Sequence, residues 1–580
     1  MVRKLEERLS NLLDDQTIAS ESEDKIIIAL DFGTTFSGIA YAFNNLGKRP
    51  QINPILDWPG LEGHRQPKVP TLISYDPEDP KKFKWGGQVS WRSEAIQGVK
   101  LLLDPDQRRP VYLPKSELKR LPKDPIDVAA DFIGAIYSHA LSKIQSAGVK
   151  DYFDFCQKQF VLSVPAVWSD KAKDRTLRAA KKAGIHPVTL IKEPEAAALY
   201  TLHCHERALN VGDAFVVCDA GGGTVDLITY EVTNLSPVLE LAEIVPGSGG
   251  MAGSLGLNSR FAEAVRNLVG GQQWTTLKES VGWLKALTEF DKVTKLQFRG
   301  DLEEDFYVSF PKANLEDDPS KNLVGNCWTM TGQDVQAIFD PLVNDVLRLI
   351  DEQVKSALLK RGEKGLKGIF LVGGFGSSQY LKTRIEQAVP NVQVIQPDDA
   401  WAAIVKGAVL SRIPEQATVT STQAVRHYGV SAWSEREPIK DKGMPTRFHP
   451  WDGTTRVERN TWYIYKEDDL KRDRTIKFPF NRYLDVDTYI DRHIKFYDDL
   501  LSSDNMLPPT HPGYGTKVNC TLKTNLAGVD KSLFGIRRGL DGNTYYRVDY
   551  DLVISTTAAN MKFSLEIGGK EMGSVEAQYE

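Results

Sequence analysis

From Lys25 to about Ile413, short continuous apolar runs alternate with stretches whose apolar residues recur every three or four positions, a rhythm that predicts an α/β unit. The runs IIIAL (26–30), FVLSV (160–164), FVVC (215–218) and GIFLV (368–372) contain almost no polar residue, so they predict strands covered on both faces. Helices are marked by their ends. Asp124 precedes Pro125 and an apolar stripe from Ile126 to Ala140; Ser169 opens a helix that stops at Gly184; and Thr331 opens a long one with Val335, Ile338, Phe339, Leu342, Val346, Ile350, Val354 and Leu358 on one face. Pro341 predicts a slight kink in the last. After Pro414 the texture becomes alternating, in VNCTLKTNL, YYRVDYDLVIS and MKFSLEIGG, which predicts a mostly antiparallel sheet domain over 415–580. Residues 1–24 carry a weak leucine pattern among charges and predict a flexible tail.

An internal echo carries the chemistry. Ile26–Thr35 reads IIIALDFGTT and Phe215–Val225 reads FVVCDAGGGTV: a buried strand, an Asp, a glycine turn and a Thr, twice. A strand ending in glycine turns sharply and presents consecutive backbone N–H groups as an anion nest, to which Thr hydroxyls add donors. Two such turns facing each other would grip a polyphosphate, and Asp31, Asp219 and Asp226 would hold a hydrated magnesium against it, since that ion keeps its waters and takes few carboxylates. One copy alone reads as an ordinary strand-end turn; the pair favours a site. A third turn, Gly373 to Ser378 between GIFLV and the helix YLKTRIEQAV, lets a flat ring or ribose approach the backbone, with Ser378 as helix cap. No GxxxxGK[ST] loop occurs, and Gly247, Gly249 and Gly253 miss the dinucleotide spacing.

Composition narrows the classes. The 580 residues are enough for three or four structural units, and a net charge of −5 gives no global field for nucleic acid or anionic membrane. The five cysteines are scattered and form no CxxC pair, which argues against a disulfide framework or zinc module and for a reducing compartment. His203, Cys204 and His205 form a metal-like tract without further ligands at the right spacing. With no export or membrane-spanning pattern, cytoplasm, or nucleus, is expected.

The segments IALDFGTTFSGIA, VLSVPAVWSD, KEPEAAALY, VVCDAGGGTVDL, FLVGGFGSS and QPDDAWAAIVKGAV, in that order, resemble the ATPase domain of the 70-kDa heat-shock protein family, within the actin, hexokinase and heat-shock superfamily. The resemblance spans about 25–414 and implies a two-lobed actin-like ATPase fold with duplicated βββαβα cores, ATP or ADP with Mg2+ at the bottom of the cleft, and slow hydrolysis. It implies that Asp31, Asp219 and Asp226 are magnesium-shell carboxylates, and that Gly33, Thr34, Thr35 and Gly221, Gly222, Gly223, Thr224 are the phosphate loops. By the same resemblance Lys100, in QGVKLLLD, reaches the γ-phosphate, Glu193, in KEPEAA, stands on the opposite wall, Gly373 and Gly374 form the adenosine turn, and Asp398 lies behind it. The water would be polarised by Asp219 or Glu193.

Departures accompany the match. Phe36 stands where the family has Tyr, Phe375 and Ser377 replace a small residue and the adenine-stacking Arg, and Lys173 replaces an arginine that relays with a proline, here Pro165. The linker, normally acidic and leucine-rich, reads PEQATVTSTQAV, and beyond His427 the likeness to the family's β-sandwich substrate domain is faint, with no helical lid. The pattern is similar to the divergent, lidless branch of the family. The functions to weigh are an ATP-driven chaperone-type ATPase with a client polypeptide and co-chaperones as partners, a nucleotide-gated binding protein with little hydrolysis, and a small-molecule kinase on the same superfold.

Overall fold

A computed structural model of the chain describes residues 24–579 apart from 46–49, 91–92, 106–120, 147–149, 206–207, 414, 473–474, 487–494, 527–528, 557–560 and 573–575. The tail expected over 1–24 falls outside these residues except for Asp24.

The sequence echo is an echo of topology. In the first lobe, β1 (Lys25–Asp31), β2 (Phe36–Asn44) and β3 (Asn53–Pro54) form an antiparallel meander, with β4 (Val69–Pro70) also on β2. Helix α1 (Pro125–Ile144) then leads to β5 (Gln157–Val164), parallel to β1, and α2 (Asp170–Lys182) leads to β6 (Val188–Lys192); the order is β3-β2-β1-β5-β6. After α3 (Glu193–Cys204) the second lobe repeats the scheme. Strands β7 (Ala214–Ala220), β8 (Val225–Asn234) and β9 (Leu239–Gly250) form the meander, followed by α4 (Leu255–Leu277) and α5 (Gly332–Arg361). Strand β10 (Gly368–Val372), α6 (Gln379–Ala388), β11 (Gln393–Ile395) and α7 (Ala403–Leu410) complete it, giving the order β9-β8-β7-β10-β11. Both lobes thus carry the βββαβα core, an actin-like α/β architecture.

All four continuous apolar runs lie in buried strands (β1, β5, β7 and β10), because helices cover both sheet faces. The helix ends fall where their caps were legible: Asp124 accepts from Ile126 N at 2.9 Å, Ser169 from Ala172 N at 3.2 Å, Ser378 from Leu381 N at 3.3 Å, and Thr331 and Asp334 form a reciprocal capping box. Helix α5 continues through Pro341 to Arg361. Between the lobes α3 and α7 cross closely: a Cβ added at Gly407 would collide with the carbonyl of Ala196. Their alanines and Ile404 bury a core shared by β1, β5 and β7, so the cleft has a rigid floor.

Residues beyond Pro414 do not begin with an independent sheet. Strand β12 (Ala417–Gln423) adds in parallel to β9, extending the second-lobe sheet. The β-rich part follows with β13 (His427–Glu435), β14 (Thr446–His449), β15 (Thr454–Ile464) and β16 (Asp469–Lys471), and β16 pairs with β12. Then come β17 (Thr475–Asp485), β18 (Lys495–Ser503), β19 (Lys517–Asn525), β20 (Gly535–Arg538), β21 (Thr544–Thr556), β22 (Met561–Ile567), β23 (Lys570–Glu571) and β24 (Glu576–Gln578). One sheet runs β14-β15-β13-β18-β19-β24, the other β17-β21-β22-β23 with β20 on β21. Their facing sides share a core that includes Val430, Leu500, Leu522, Leu552, Ile554 and Phe563, as expected for a mostly antiparallel sandwich. Among the described residues no helix is long and apolar enough to cross a membrane.

Candidate functional site

The β1–β2 and β7–β8 hairpins point their turns at each other. In the first, Thr71 N donates to Thr35 O at 2.7 Å and Thr71 Oγ1 to Gly33 O at 2.9 Å, fixing the turn against the strand that ends in Pro70. In the second, Ser254, Leu255 and Gly253 donate their N–H groups to the carbonyls of Gly221, Gly222 and Gly223 at 3.1, 2.8 and 3.3 Å. With those carbonyls engaged by the start of α4 and Gly221 N donating to Thr224 O at 2.9 Å, the N–H groups of Gly222 and Gly223 are what remains for an anion. The glycines are required by contact as well as turning: a Cβ at Gly223 would lie 2.7 Å from Thr34 Oγ1, and one at Gly222 would collide with Thr35.

Asp31, Gly33, Thr34, Thr35, Lys100, Glu193, Asp219, Gly221, Gly222, Gly223, Thr224, Gly373 and Gly374 line one cleft of about 50 Å³. Asp226 is buried directly behind, opposite Asp219 in the β7–β8 register. Gly373 has φ +87° and sits so close to Asp219 Oδ1 and Ala220 O that no other residue fits, whereas around Gly374 there is open space. Asp398 is not brought in: it is exposed on the turn before α7, outside the cleft lining. Phe375 turns into the core beside Phe339, and Ser377 Oγ donates back to Gly374 O at 2.8 Å, so neither faces the cleft as a ring platform. His203, Cys204 and His205 gather no metal-binding group among the described residues.

Four buried carboxylates and two buried lysines determine the electrostatics. Lys100, on the turn Val99–Leu103, is ion-paired to Glu193, and its ammonium lies 5.6 Å from the Trp168 ring centroid. Lys68 Nζ donates to Asp31 Oδ2 at 2.6 Å, and Ser163 Oγ to Asp31 Oδ1 at 2.8 Å. Burial pushes the Asp31 carboxyl up, but the charges of Lys68 and Lys100 outweigh it and hold Asp31 below its ordinary range. Burial raises Asp219 well above that range, with Glu193 and Asp226 adding repulsion; burial raises Asp226 too. Glu193 is raised to about 7 by burial and by Asp31 and Asp226, against the pull of Lys100.

Asp219 Oδ1 and Asp226 Oδ2 are buried without a hydrogen-bond partner. Two orphaned carboxylate oxygens beside an anion nest fit a hydrated divalent cation, whose charge would oppose the upward shift of both carboxyls. Among the described residues no three metal-ligating side chains converge on one point.

Sequence reasoning missed Lys68, Trp401 and Ile404, all of which line the cleft. Trp401 meets Phe36 edge-on at 5.5 Å. None had a spacing signal, because each arrives from a segment whose pairing is decided by the fold. Glu195 was also passed over. Two residues from Glu193 on α3, it faces away from the cleft and is ion-paired to Arg472, just beyond β16. A second joint lies at the start of α2, where Asp170 Oδ2 accepts from Tyr428 Oη at 3.0 Å and Asn519 Nδ2 at 3.1 Å, and Asp170 Oδ1 from Lys173 Nζ at 3.0 Å. The β-rich part is therefore fastened to both lobes.

Two lobes of matching topology, with glycine turns meeting over buried carboxylates, have the fold of the actin-like ATPase class. A family model described as Hsp70 protein matches residues 133–423, half of the chain, and the chain belongs to that family. It is similar to heat shock 70 kDa protein 12A of Homo sapiens, 24% identical over 536 aligned positions and 76% of each chain. It is similar to heat shock 70 kDa protein 12B of Homo sapiens at 25% over 484 positions, covering 66% of this chain and 68% of the relative. It is also similar to a chaperone protein HscA homolog of Rickettsia bellii at 23% over 401 positions, covering 67% of this chain and 57% of the relative.

Proposed function

We propose that this chain is a slow chaperone-type ATPase in which ATP or ADP, held with Mg2+ between the lobes, sets the grip of the β-rich part on a client polypeptide. The observation that carries the reading is the pair of glycine–threonine turns, one from each lobe, facing each other over buried carboxylates and lysines. Magnesium, when bound, would neutralise charge on the phosphates; Asp31, Asp219 and Asp226 are the groups that would hold its waters. The turns' N–H groups and Thr34, Thr35 and Thr224 would bind phosphate oxygens, and Lys100 would stabilise charge developing on the transferred group. Glu193 or Asp219 would orient the attacking water, a step in which positioning dominates over covalent chemistry.

Coupling is supported by the joints. Glu193 pairs inside the cleft and Glu195, on the opposite side of the same helix turn, pairs with Arg472, so a shift of α3 on nucleotide binding would be felt by the β-rich part. Client binding is supported by Ile439, Met506, Leu507 and Tyr514, each at least 81% exposed, on neighbouring loops tied by His511 Nε2 to Asp441 Oδ1 at 2.9 Å.

The contact of Gly222 and Gly223 with Thr35 and Thr34 closes the phosphate gap and favours a second reading, a nucleotide-gated binder that hydrolyses little. Single-turnover conversion of bound ATP by the purified chain separates the two. The first reading expects conversion that Lys100→Ala and Asp219→Asn abolish while nucleotide still binds; binding without conversion supports the second, and no binding overturns both.

A further inference from the structure

We propose that Lys68 is a second phosphate-binding lysine of the cleft, parked on Asp31 until a terminal nucleotide phosphate draws it away. The inference rests on the nucleotide reading above and adds a residue and an exchange to it.

The placement of Lys68 is built by register. Strand β4 pairs Val69 with Ser37 and Pro70 with Phe36, so the preceding residue, Lys68, comes to lie opposite Gly38 on β2. A side chain at Gly38 would meet Lys68 Cγ at 3.1 Å and Pro67 O at 2.6 Å; the glycine opens the path by which the lysine stem crosses the strand. The backbone around it is fixed to the first turn: Gln66 Nε2 donates to Lys68 O at 2.8 Å, and Ser37 Oγ and Thr71 Oγ1 are hydrogen-bonded at 2.8 Å. The ammonium therefore moves with the turn that would hold phosphate.

Lys68 is 6% exposed, and Asp31 Oδ2 at 2.6 Å is the sole hydrogen-bond partner of its ammonium among the described residues. An ammonium has three N–H donors, so two are left without a hydrogen-bond partner among the described residues, in a cleft lined by N–H groups, hydroxyls and the carboxylates of Asp219 and Glu193. Burying a lysine this way is costly unless an anion joins it. Lys100 is the other ammonium of the cleft and is ion-paired in the same way, to Glu193. Asp31 has both oxygens engaged, by Lys68 and by Ser163. When a terminal phosphate attracts Lys68, Asp31 Oδ2 becomes free for the water shell of the accompanying cation. One ammonium is exchanged for one hydrated cation on Asp31 while the phosphate gains the ammonium, so the swap keeps the buried charge compensated.

The exchange makes two opposite predictions for Lys68→Met in the full chain. By isothermal titration with magnesium, ATP affinity falls by about tenfold or more, ADP affinity falls less, and adenosine affinity stays within about twofold, because only the charge-assisted contact to the terminal phosphate is lost. By electron paramagnetic resonance with Mn2+ alone, the same variant binds the ion more tightly than the unaltered chain, since Asp31 has lost its resident cation. Should Lys68→Met fail to fold, Asp31→Asn/Lys68→Met is compared with Asp31→Asn for inorganic tripolyphosphate in metal-free buffer, and the tenfold loss must reappear. Equal losses for adenosine, ADP and ATP, or unchanged ATP affinity, overturn the role of Lys68 and leave the nucleotide reading standing. An unaltered chain that binds none of the three overturns both.

Discussion

Replacing Arg472 with Met tests whether the β-rich part is locked to the nucleotide lobes by charge. Glu195 is completely buried, one of its oxygens faces Arg472 and the other has no hydrogen-bond partner, so no second cation covers for the loss. Removing one member of a buried pair costs about 3–5 kcal/mol because the remaining charge is stranded. The Arg472 side chain keeps 17% exposure, which puts the expectation at the low end, about 3 kcal/mol. The readout is the opening free energy of β12, measured by hydrogen exchange of the Ala417–Gln423 amides, since β12 is held between β9 and β16. At 1.4 kcal/mol per factor of ten, exchange in Arg472→Met accelerates by roughly a hundredfold. Glu195→Gln, which strands only a partly hydrated guanidinium, costs about 1 kcal/mol, and the double variant recovers most of the loss. Exchange accelerated by less than about threefold, or strict additivity of the two changes, would refute a buried ion pair as the lock.

Other outcomes follow from the same geometry. Gly407→Ala forces a methyl into the Ala196 carbonyl where α7 crosses α3 and should cost about 1–3 kcal/mol, seen as a lower thermal midpoint, while Gly374→Ala, facing open space, should stay within about 0.5 kcal/mol. Without metal or nucleotide, the raised Glu193 pKa implies stability fully present below about 4.5 and lost as pH rises through about 7; Glu193→Gln should flatten that slope in thermal denaturation. Asp170 is buried, which pushes its pKa up, but Lys173 and its hydrogen bonds pull it below 3.8, so the second joint is intact above that pH and is lost as pH falls further. Asp170→Ala should reproduce the acid effect at neutral pH, read as faster proteolysis between Ile413 and His427; an unchanged cleavage rate would show that Tyr428 and Asn519 do not depend on this acceptor.

Much of the site was readable before any tertiary structure because its parts are local. A buried strand, an Asp and a glycine turn lie within ten residues, and the hairpin that joins them is a short-range event, so the two copies announced themselves as one device. Helix caps at Asp124, Ser169, Thr331 and Ser378 were legible for the same reason, since each side chain bonds a backbone N–H two or three residues on. The ordered family motifs extended this to Lys100 and Glu193, which are 93 positions apart and meet as an ion pair.

What only tertiary structure decided is everything set by pairing between distant segments. Lys68 enters the cleft through the register of a two-residue strand; Trp401 and Ile404 reach it through the crossing of α7 over α3; Asp398, adjacent to them in sequence, is left outside. The change of texture at 415 marks a change in side-chain alternation, yet β12 continues the second-lobe sheet, because hydrogen bonding at a sheet edge depends on the backbone and is nearly blind to composition. The single helix turn Glu193-Pro194-Glu195 shows the division most clearly: sequence placed two carboxylates on opposite sides of a helix start, and the fold gave one to Lys100 in the cleft and the other to Arg472 at the joint. Local patterns fix which atoms are offered, while long-range packing fixes which partner receives them, since that choice depends on closing loops of up to hundreds of residues that no local spacing encodes.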